Sequence, residues 1–313
     1  MILSCCDLES PLDNKANLFS DKNSSRNPLL EKFPESDKAN RPTFIFNMGN
    51  HDFYADDSSR HEETVYAREH SRFRTFANKW MTYQIKENEN VYSIVVDGIN
   101  YICAFPGIDA YYEEEGKTIY EAALGHFSDN DLQKLEDKIA EAAERDAEKP
   151  IVVLTHWPLG ETYGGDKYGV NNTGDQVEKF KTIYSKYPQV VNLTSHTHFS
   201  NLHDKDIAQS TFTSINVGTH CYAKYVSDIE KDENGDVISY ANIDSPKNRI
   251  KNDAVASAQH GKTNFGLQLS FGATKLSVNR VNFAKQALYS HGTFDVPYGI
   301  TKDNMNEKFA YAS

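Results

Sequence analysis

The sequence predicts a layered α/β fold, and three observations carry that prediction. Short apolar runs typical of buried strands recur through the first two-thirds of the 313-residue chain. Charged segments with apolar residues at helical spacing lie between those runs. Near the end, two segments alternate apolar with polar residues, which is typical of an antiparallel pair with one solvated face. Strands that alternate with helices and then give way to an antiparallel pair indicate stacked layers of helix and sheet.

The strand candidates rest on two kinds of pattern. Residues 151–154 (Ile-Val-Val-Leu) are continuously apolar, as expected for a strand covered on both faces. Residues 92–96 and 100–104 flank Asp97-Gly98, which favours a tight hairpin because both residues tolerate positive φ. We expect further buried strands at residues 44–48, 190–194 and 211–217, and an antiparallel pair at residues 265–271 and 275–281.

Three helices are predicted between these strands. The clearest begins after Ser128, which can cap it, and Asp131 occupies the third helical position as a capping box requires. Its apolar residues follow at helical spacing: Leu132, Leu135, Ile139 and Ala142. We expect Pro150 to end this helix, and we expect two more helices over residues 63–80 and 175–187.

We interpret residues 1–313 as a single domain. The stretch from about residue 227 to 263 is polar and rich in Asp, Asn and Lys, and it contains the turn signal Glu233-Asn-Gly-Asp236. It is therefore predicted to be an insertion or surface excursion with one hairpin. The C-terminal antiparallel strands, at about residues 264–284, follow it.

Charge and hydropathy exclude some partners. The formal net charge of −12 argues against binding nucleic acid duplexes, because the surface as a whole would repel phosphates. No apolar run approaches the roughly 18 residues of a membrane span, so no membrane partner is expected. The four cysteines show no C-x-x-C spacing, which argues against a cysteine zinc site. We expect the chain to act in the cytoplasm.

Three short motifs each follow a predicted strand. They are Gly49-Asn50-His51-Asp52, Thr155-His156 and Ser195-His196-Thr197-His198. In open α/β sheets, ligands bind outside the carboxyl ends of the strands, so these motifs are expected to share one rim. Imidazole, amide and carboxylate groups together suit a divalent metal. Taken alone, each motif also has a structural interpretation: His156 as a buried structural histidine, the first motif as a turn, and the His196–His198 pair as a surface pair.

In this order the three motifs resemble the third, fourth and fifth motifs of the calcineurin-like metallophosphoesterases. The resemblance covers at least residues 43–218, and it departs at Ser195, where the family usually has glycine. It implies a four-layer α/β/β/α sandwich that holds two metal ions, Mn, Fe or Zn, at its strand ends. It also implies hydrolysis of phosphate esters by a metal-activated hydroxide.

The resemblance assigns a role to each matched residue. Asn50, His156 and His196 would bind the second metal, and His198 would bind the first. His51 would donate a proton to the leaving group or stabilise the transition state, with Asp52 orienting its ring.

The family's first motif, an Asp-x-His, has no counterpart ahead of Gly49. Its second motif has one candidate, because residues 1–8 resemble a strand that ends in the bridging aspartate, here Asp7; the alternative is an ordinary aspartate at a strand end. On this alignment the chain begins at the family's second strand and lacks the first. Asp7 and His198 alone are too few ligands for a tight first site. We therefore expect at most one well-occupied metal, and slow or no turnover.

Three functions remain open from the sequence. The leading hypothesis is a metal-dependent phosphoesterase whose substrate is a small phosphate ester, with diesters favoured over monoesters. The second is a non-catalytic relative that keeps the fold as a binding or scaffold module; the missing Asp-x-His favours it, whereas intact Asn50, His51 and Asp52 oppose it. The third is an unrelated metal-binding α/β protein.

Overall fold

The computed structural model describes residues 2–4, 42–53, 63–114, 117–120, 125–159, 175–196, 206–217, 229–231, 237–240, 265–282 and 287–310. The strands up to the second helix are β1 (Ile2–Ser4), β2 (Phe44–Phe46), β3 (Val91–Val96), β4 (Ile99–Ala104), β5 (Tyr111–Glu114) and β6 (Lys117–Tyr120). They are followed by β7 (Ile151–Leu154), β8 (Val190–Thr194), β9 (Ile207–Gln209), β10 (Thr213–Asn216), β11 (Ile229–Lys231), β12 (Val237–Tyr240), β13 (Phe265–Phe271), β14 (Lys275–Asn282) and β15 (Ala287–Pro297). The helices are α1 (Glu63–Trp80), α2 (Asp129–Arg145) and α3 (Asp175–Tyr184).

A six-stranded sheet forms the centre of the fold, in the order β3-β4-β7-β8-β10-β9. Its four inner strands run parallel, and the strands at both edges run antiparallel to their neighbours. All four side chains of β7 are fully buried, as its uninterrupted apolar sequence predicted. The predicted α/β fold class is confirmed.

The hairpin between β3 and β4 turns at Asp97 and Gly98, whose φ angles are +52° and +76°. Positive φ at both central positions is what a two-residue hairpin turn requires. The hairpin prediction is therefore confirmed down to the two residues that carried it.

The helices α1 and α2 pack onto different strands. The buried stripe of α2 faces the sheet, and Arg145 at its last position donates to the Asn100 side chain on β4. On α1, Trp80 packs edge-on against Phe44 of β2 at 5.7 Å, and Phe76 packs against Phe46 at 5.3 Å. Helix α1 therefore fixes the short strand β2, from which the first candidate motif emerges.

A second sheet, β13-β14-β15, is antiparallel throughout. It packs on the central sheet through Tyr101 and Phe271, whose ring centroids are 6.2 Å apart, and its Leu276, Val278 and Val296 are buried in the common core. The core thus lies between stacked layers of secondary structure.

Some elements differ from the sequence predictions. Helix α2 ends at Arg145, ahead of Pro150, because Asp146 has an extended backbone (φ −157°). Helix α3 ends at Tyr184 and not at residue 187, since the next residues form a turn. The hairpin β5–β6, the edge strand β9 and the long strand β15 were not predicted. None of the described helices is both long enough and apolar enough to span a membrane.

Candidate metal site

The segment after β2 forms a short, tightly closed turn that presents Asn50. Residues Asn50–Phe53 form one turn of 3-10 helix. The backbone amide of Gly49 donates to Asp52 Oδ2 at 2.8 Å, and the Asp52 amide donates back to the Gly49 carbonyl at 3.2 Å. Two hydrogen bonds across three residues fix the backbone on both sides of Asn50.

Phe53 anchors this turn on α1. Its ring lies 5.3 Å from the ring of Tyr66 and 5.4 Å from that of His70, centroid to centroid, and it is fully buried. Because aromatic side chains bury a large area, this contact ties the turn to the helix. The position of Asn50 is therefore set from both β2 and α1.

The hydrogen-bond ladder of the central sheet continues past the ends of β7 and β8. The Thr155 amide donates to the Leu193 carbonyl at 3.1 Å, and the Ser195 amide donates to the His156 carbonyl at 2.9 Å. The two strands thus leave the sheet side by side. His196 then has a left-handed backbone (φ +62°), which is uncommon for a residue other than glycine. This bend ends the extended strand beside His156.

Three atoms from these segments converge. His156 Nε2 lies 2.8 Å from Asn50 Oδ1, His196 Nδ1 lies 2.9 Å from the same oxygen, and the two ring nitrogens are 3.1 Å apart. His156 is fully buried, Asn50 is 8% exposed, and His196 is half-buried. The arrangement places two ring nitrogens and an amide oxygen at the corners of a small triangle, at hydrogen-bonding distances from one another.

The sides of that triangle are ordinary hydrogen-bond lengths, and they are also compatible with a shared cation. Ligand nitrogens lie about 2.05 Å from zinc, so two ligands at angles between 90° and 109° are about 2.9–3.4 Å apart. The observed separations of 2.8, 2.9 and 3.1 Å agree with this range to within a tenth of an ångström. Two imidazoles and an amide oxygen also form a mixed N/O donor set that suits zinc, iron or manganese. The residues present therefore fit a divalent metal ion.

The structure brings together some of the candidate site residues, and others fall outside what it describes. Asn50, His156 and His196 meet, whereas Asp7, His198 and the side chain of His51 lie outside the described part of the chain. Within the described ranges, no three His, Cys, Asp or Glu side chains cluster as a metal site would. The triangle is not such a cluster, because its third member is an asparagine.

Asp52 has a contact that sequence reasoning did not anticipate. Its buried carboxylate accepts the Gly49 amide, so this oxygen holds the turn. The expected role of Asp52, orienting the ring of His51, stays a prediction.

Strand β1 lies beside β2 and runs parallel to it, with Ser4 opposite Phe46. The carboxyl ends of both strands therefore point to the same edge, the one from which Asn50 emerges. Asp7 follows three residues after the end of β1.

Comparison with known proteins bears on this site directly. The calcineurin-like phosphoesterase family matches residues 14–200, well over half of the chain, and the matched segment includes Asn50, His156 and His196. The chain belongs to the calcineurin-like phosphoesterase family. The resemblance seen in the sequence is thereby confirmed.

Two solved structures are similar to this calcineurin-like chain. One is a dimetal phosphatase from Danio rerio, with 10% identity, a TM-score of 0.43, and coverage of 82% of this chain and 72% of that one. The other is a putative 5'-nucleotidase from Staphylococcus aureus, crystallised with α-ketoglutarate, with 12% identity, a TM-score of 0.30, and coverage of 84% of this chain and 40% of that one. Among curated proteins, no sequence matches significantly.

Proposed function

We propose that this chain is a metal-dependent phosphoesterase that prefers phosphodiesters to monoesters. The observation that carries the proposal is the triangle formed by Asn50 Oδ1, His156 Nε2 and His196 Nδ1. Family membership supports hydrolysis of phosphate esters in general. The diester preference is the finer part of the proposal, and it is open to a direct comparison of substrates.

The metal ligands come from strand ends that meet at one edge. Asn50, His156 and His196 hold one divalent ion, Mn, Fe or Zn. Asp7 joins them as a further ligand, which the parallel pairing of β1 with β2 supports. His198, two residues beyond His196, would bind the first metal together with Asp7. A divalent cation held there supplies Lewis-acid chemistry, since it neutralises phosphoryl oxygens and lowers the pKa of bound water.

Asn50 and His51, on the same turn, have separate roles in the proposed reaction. The Asn50 amide oxygen lies beside His196 Nδ1, where it would help to hold a cation, and the turn closed by Asp52 and Gly49 fixes the backbone that presents it. His51 is the next residue of the same turn. Its role is to donate a proton to the leaving-group oxygen or to stabilise the transition state.

Metal content and hydrolysis test the proposal together. The purified chain is assayed for bound metal and for hydrolysis of bis-p-nitrophenyl phosphate and p-nitrophenyl phosphate with added manganese, alongside His156→Ala. A matched control is His260→Ala, a histidine that no predicted strand precedes. We expect about one ion per chain and slow turnover, faster on the diester, with both lost in His156→Ala and kept in His260→Ala.

Other outcomes discriminate between the functions. Stoichiometric metal with no hydrolysis of either ester would favour the non-catalytic binding module. Faster hydrolysis of the monoester would overturn the diester preference alone. Equal metal content in His156→Ala and in the unmodified chain would refute the proposed site.

A further inference from the structure

Trp157 packs against both histidines of the candidate site. Its ring centroid lies 5.0 Å from that of His156 in an edge-to-face arrangement, with an interplanar angle of 89°. It lies 6.1 Å from the ring of His196 at an angle of 45°. The indole is completely buried. One side chain therefore supports two candidate ligands that lie 40 residues apart in the sequence.

The indole also contacts Phe127 and Gly125. Phe127 meets it edge-on at 6.2 Å. Gly125 approaches so closely that a Cβ atom there would lie 2.8 Å from Trp157 Cγ, and its φ of +80° favours glycine. Phe127 and Gly125 thus restrain the indole in addition to its contacts with the histidines.

Polar contacts do not account for the choice of tryptophan. The buried Nε1 of Trp157 has no hydrogen-bond partner among the described residues. A buried N–H without a partner is destabilising, and phenylalanine at this position would avoid that cost. What the indole offers over a smaller ring is its area and shape against His156 and His196.

We propose that Trp157, held in place by Gly125, is a positioning residue for the metal site. It restrains rotation of the His156 and His196 rings so that Nε2 and Nδ1 stay turned toward Asn50 Oδ1. This inference rests on the proposed function, because it assumes that these nitrogens bind a cation. Residues that orient metal ligands typically change metal affinity by 10- to 100-fold when they are replaced.

The test measures Mn²⁺ affinity, from the electron paramagnetic resonance signal of free Mn²⁺, in the full chain and four variants. Trp157→Leu removes the aromatic side chain that packs against His156 and His196, and Trp157→Phe restores a smaller aromatic ring. Gly125→Ala places a Cβ atom against the indole and so displaces it. Phe309→Leu is the control, since Phe309 is also a buried aromatic residue but packs on Phe294, away from the candidate site. Near-ultraviolet circular dichroism, recorded in the absence of metal, measures the folded fraction of each protein.

We expect Trp157→Leu and Gly125→Ala to weaken Mn²⁺ binding at least 10-fold per folded molecule. Trp157→Phe should recover part of the affinity, and Phe309→Leu should stay within twofold of the unmodified chain. If Trp157→Leu does not fold, the other variants decide the question. Unchanged affinity in the folded Trp157 and Gly125 variants would overturn the positioning role and leave the metal site standing. An unmodified chain that binds no Mn²⁺ would overturn both.

Discussion

His70 is a buried histidine outside the candidate site, and its surroundings disfavour the charged imidazolium. Its ring lies between Phe53 and Phe105, at 5.4 Å from each. Burial lowers its pKa to about 4, against smaller opposing effects of a hydrogen bond to the Pro106 carbonyl and of nearby Asp109. Arg74 contributes a further lowering. The folded protein therefore keeps His70 neutral where an unfolded chain would protonate it.

This difference makes stability depend on pH in a defined window. His70 contributes its full stabilisation above its unfolded pKa of about 6.5 and loses it as the pH falls toward about 4. Between pH 7 and pH 5 the loss is about 2 kcal/mol, at about 1.4 kcal/mol for each unit below 6.5. Urea unfolding of the unmodified chain and of His70→Phe at both pH values measures it.

The quantity to compare is the difference in unfolding free energy between the two proteins. All other titrating groups are common to both, so their contributions cancel in that difference. We expect the unmodified chain to lose about 2 kcal/mol more than His70→Phe on acidification. Parallel pH profiles would show that His70 is protonated equally in the folded and unfolded states.

The N-terminus of α2 is closed by side-chain hydrogen bonds. Ser128 Oγ accepts the Asp131 amide at 3.1 Å, and Asp131 Oδ2 accepts the Ser128 amide at 3.3 Å, so the predicted capping box is confirmed. Asp131 is fully buried and also accepts the Gly107 amide at 2.8 Å. The cap therefore joins the helix to the loop that follows β4.

Ser128→Ala removes the acceptor at this cap. We expect the free energy of unfolding to fall by about 1 kcal/mol, the usual cost of losing a serine N-cap. Guanidinium unfolding followed by circular dichroism measures it. Glu144→Ala, an exposed change near the other end of the same helix, is the control and should lower stability by less than about 0.5 kcal/mol. Equal effects of both changes would contradict the capping role.

How far the sequence predicts each element depends on whether its pattern is local. The strand β7, the turn at Asp97 and the cap at Ser128 were all predictable, because burial, positive φ and capping each leave a signature within a few residues. The edge strand β9 has only three residues, and β15 mixes polar, charged and glycine residues among its apolar ones, so no short pattern indicated them even though each pairs with a neighbouring strand in sequence.

The sequence likewise predicted some features of the candidate site and not others. The positions of Asn50, His156 and His196 after strands predicted a common rim, and the structure places them together. The left-handed backbone of His196 and the close approach of Gly125 to Trp157 could not be predicted, since both depend on the assembled tertiary structure.

For the whole molecule, a bound cation should act as a cross-link between distant parts of the chain. A ligand that binds only the folded state stabilises it by about 2.7 kcal/mol at a concentration 100 times its dissociation constant. We expect Mn²⁺ to raise the midpoint of thermal unfolding and excess chelator to reverse the shift. Differential scanning fluorimetry measures both.

The His156→Ala variant tests whether this stabilisation arises at the triangle. Its midpoint should be insensitive to Mn²⁺, while that of His260→Ala should rise as in the unmodified chain. A rise of equal size in His156→Ala would place the stabilising cation elsewhere.

The separation of the three ligands along the chain has a consequence for how the protein is made. Asn50 and His196 are 146 residues apart, and residue 196 lies almost two-thirds of the way along the 313-residue chain. A ribosome adding about 5–20 residues per second exposes Asn50 many seconds before its partners emerge. Metal capture therefore cannot guide the earliest steps of folding on the ribosome. If the triangle binds a cation as proposed, the ion would be captured only after the ends of both β7 and β8 have emerged from the ribosome.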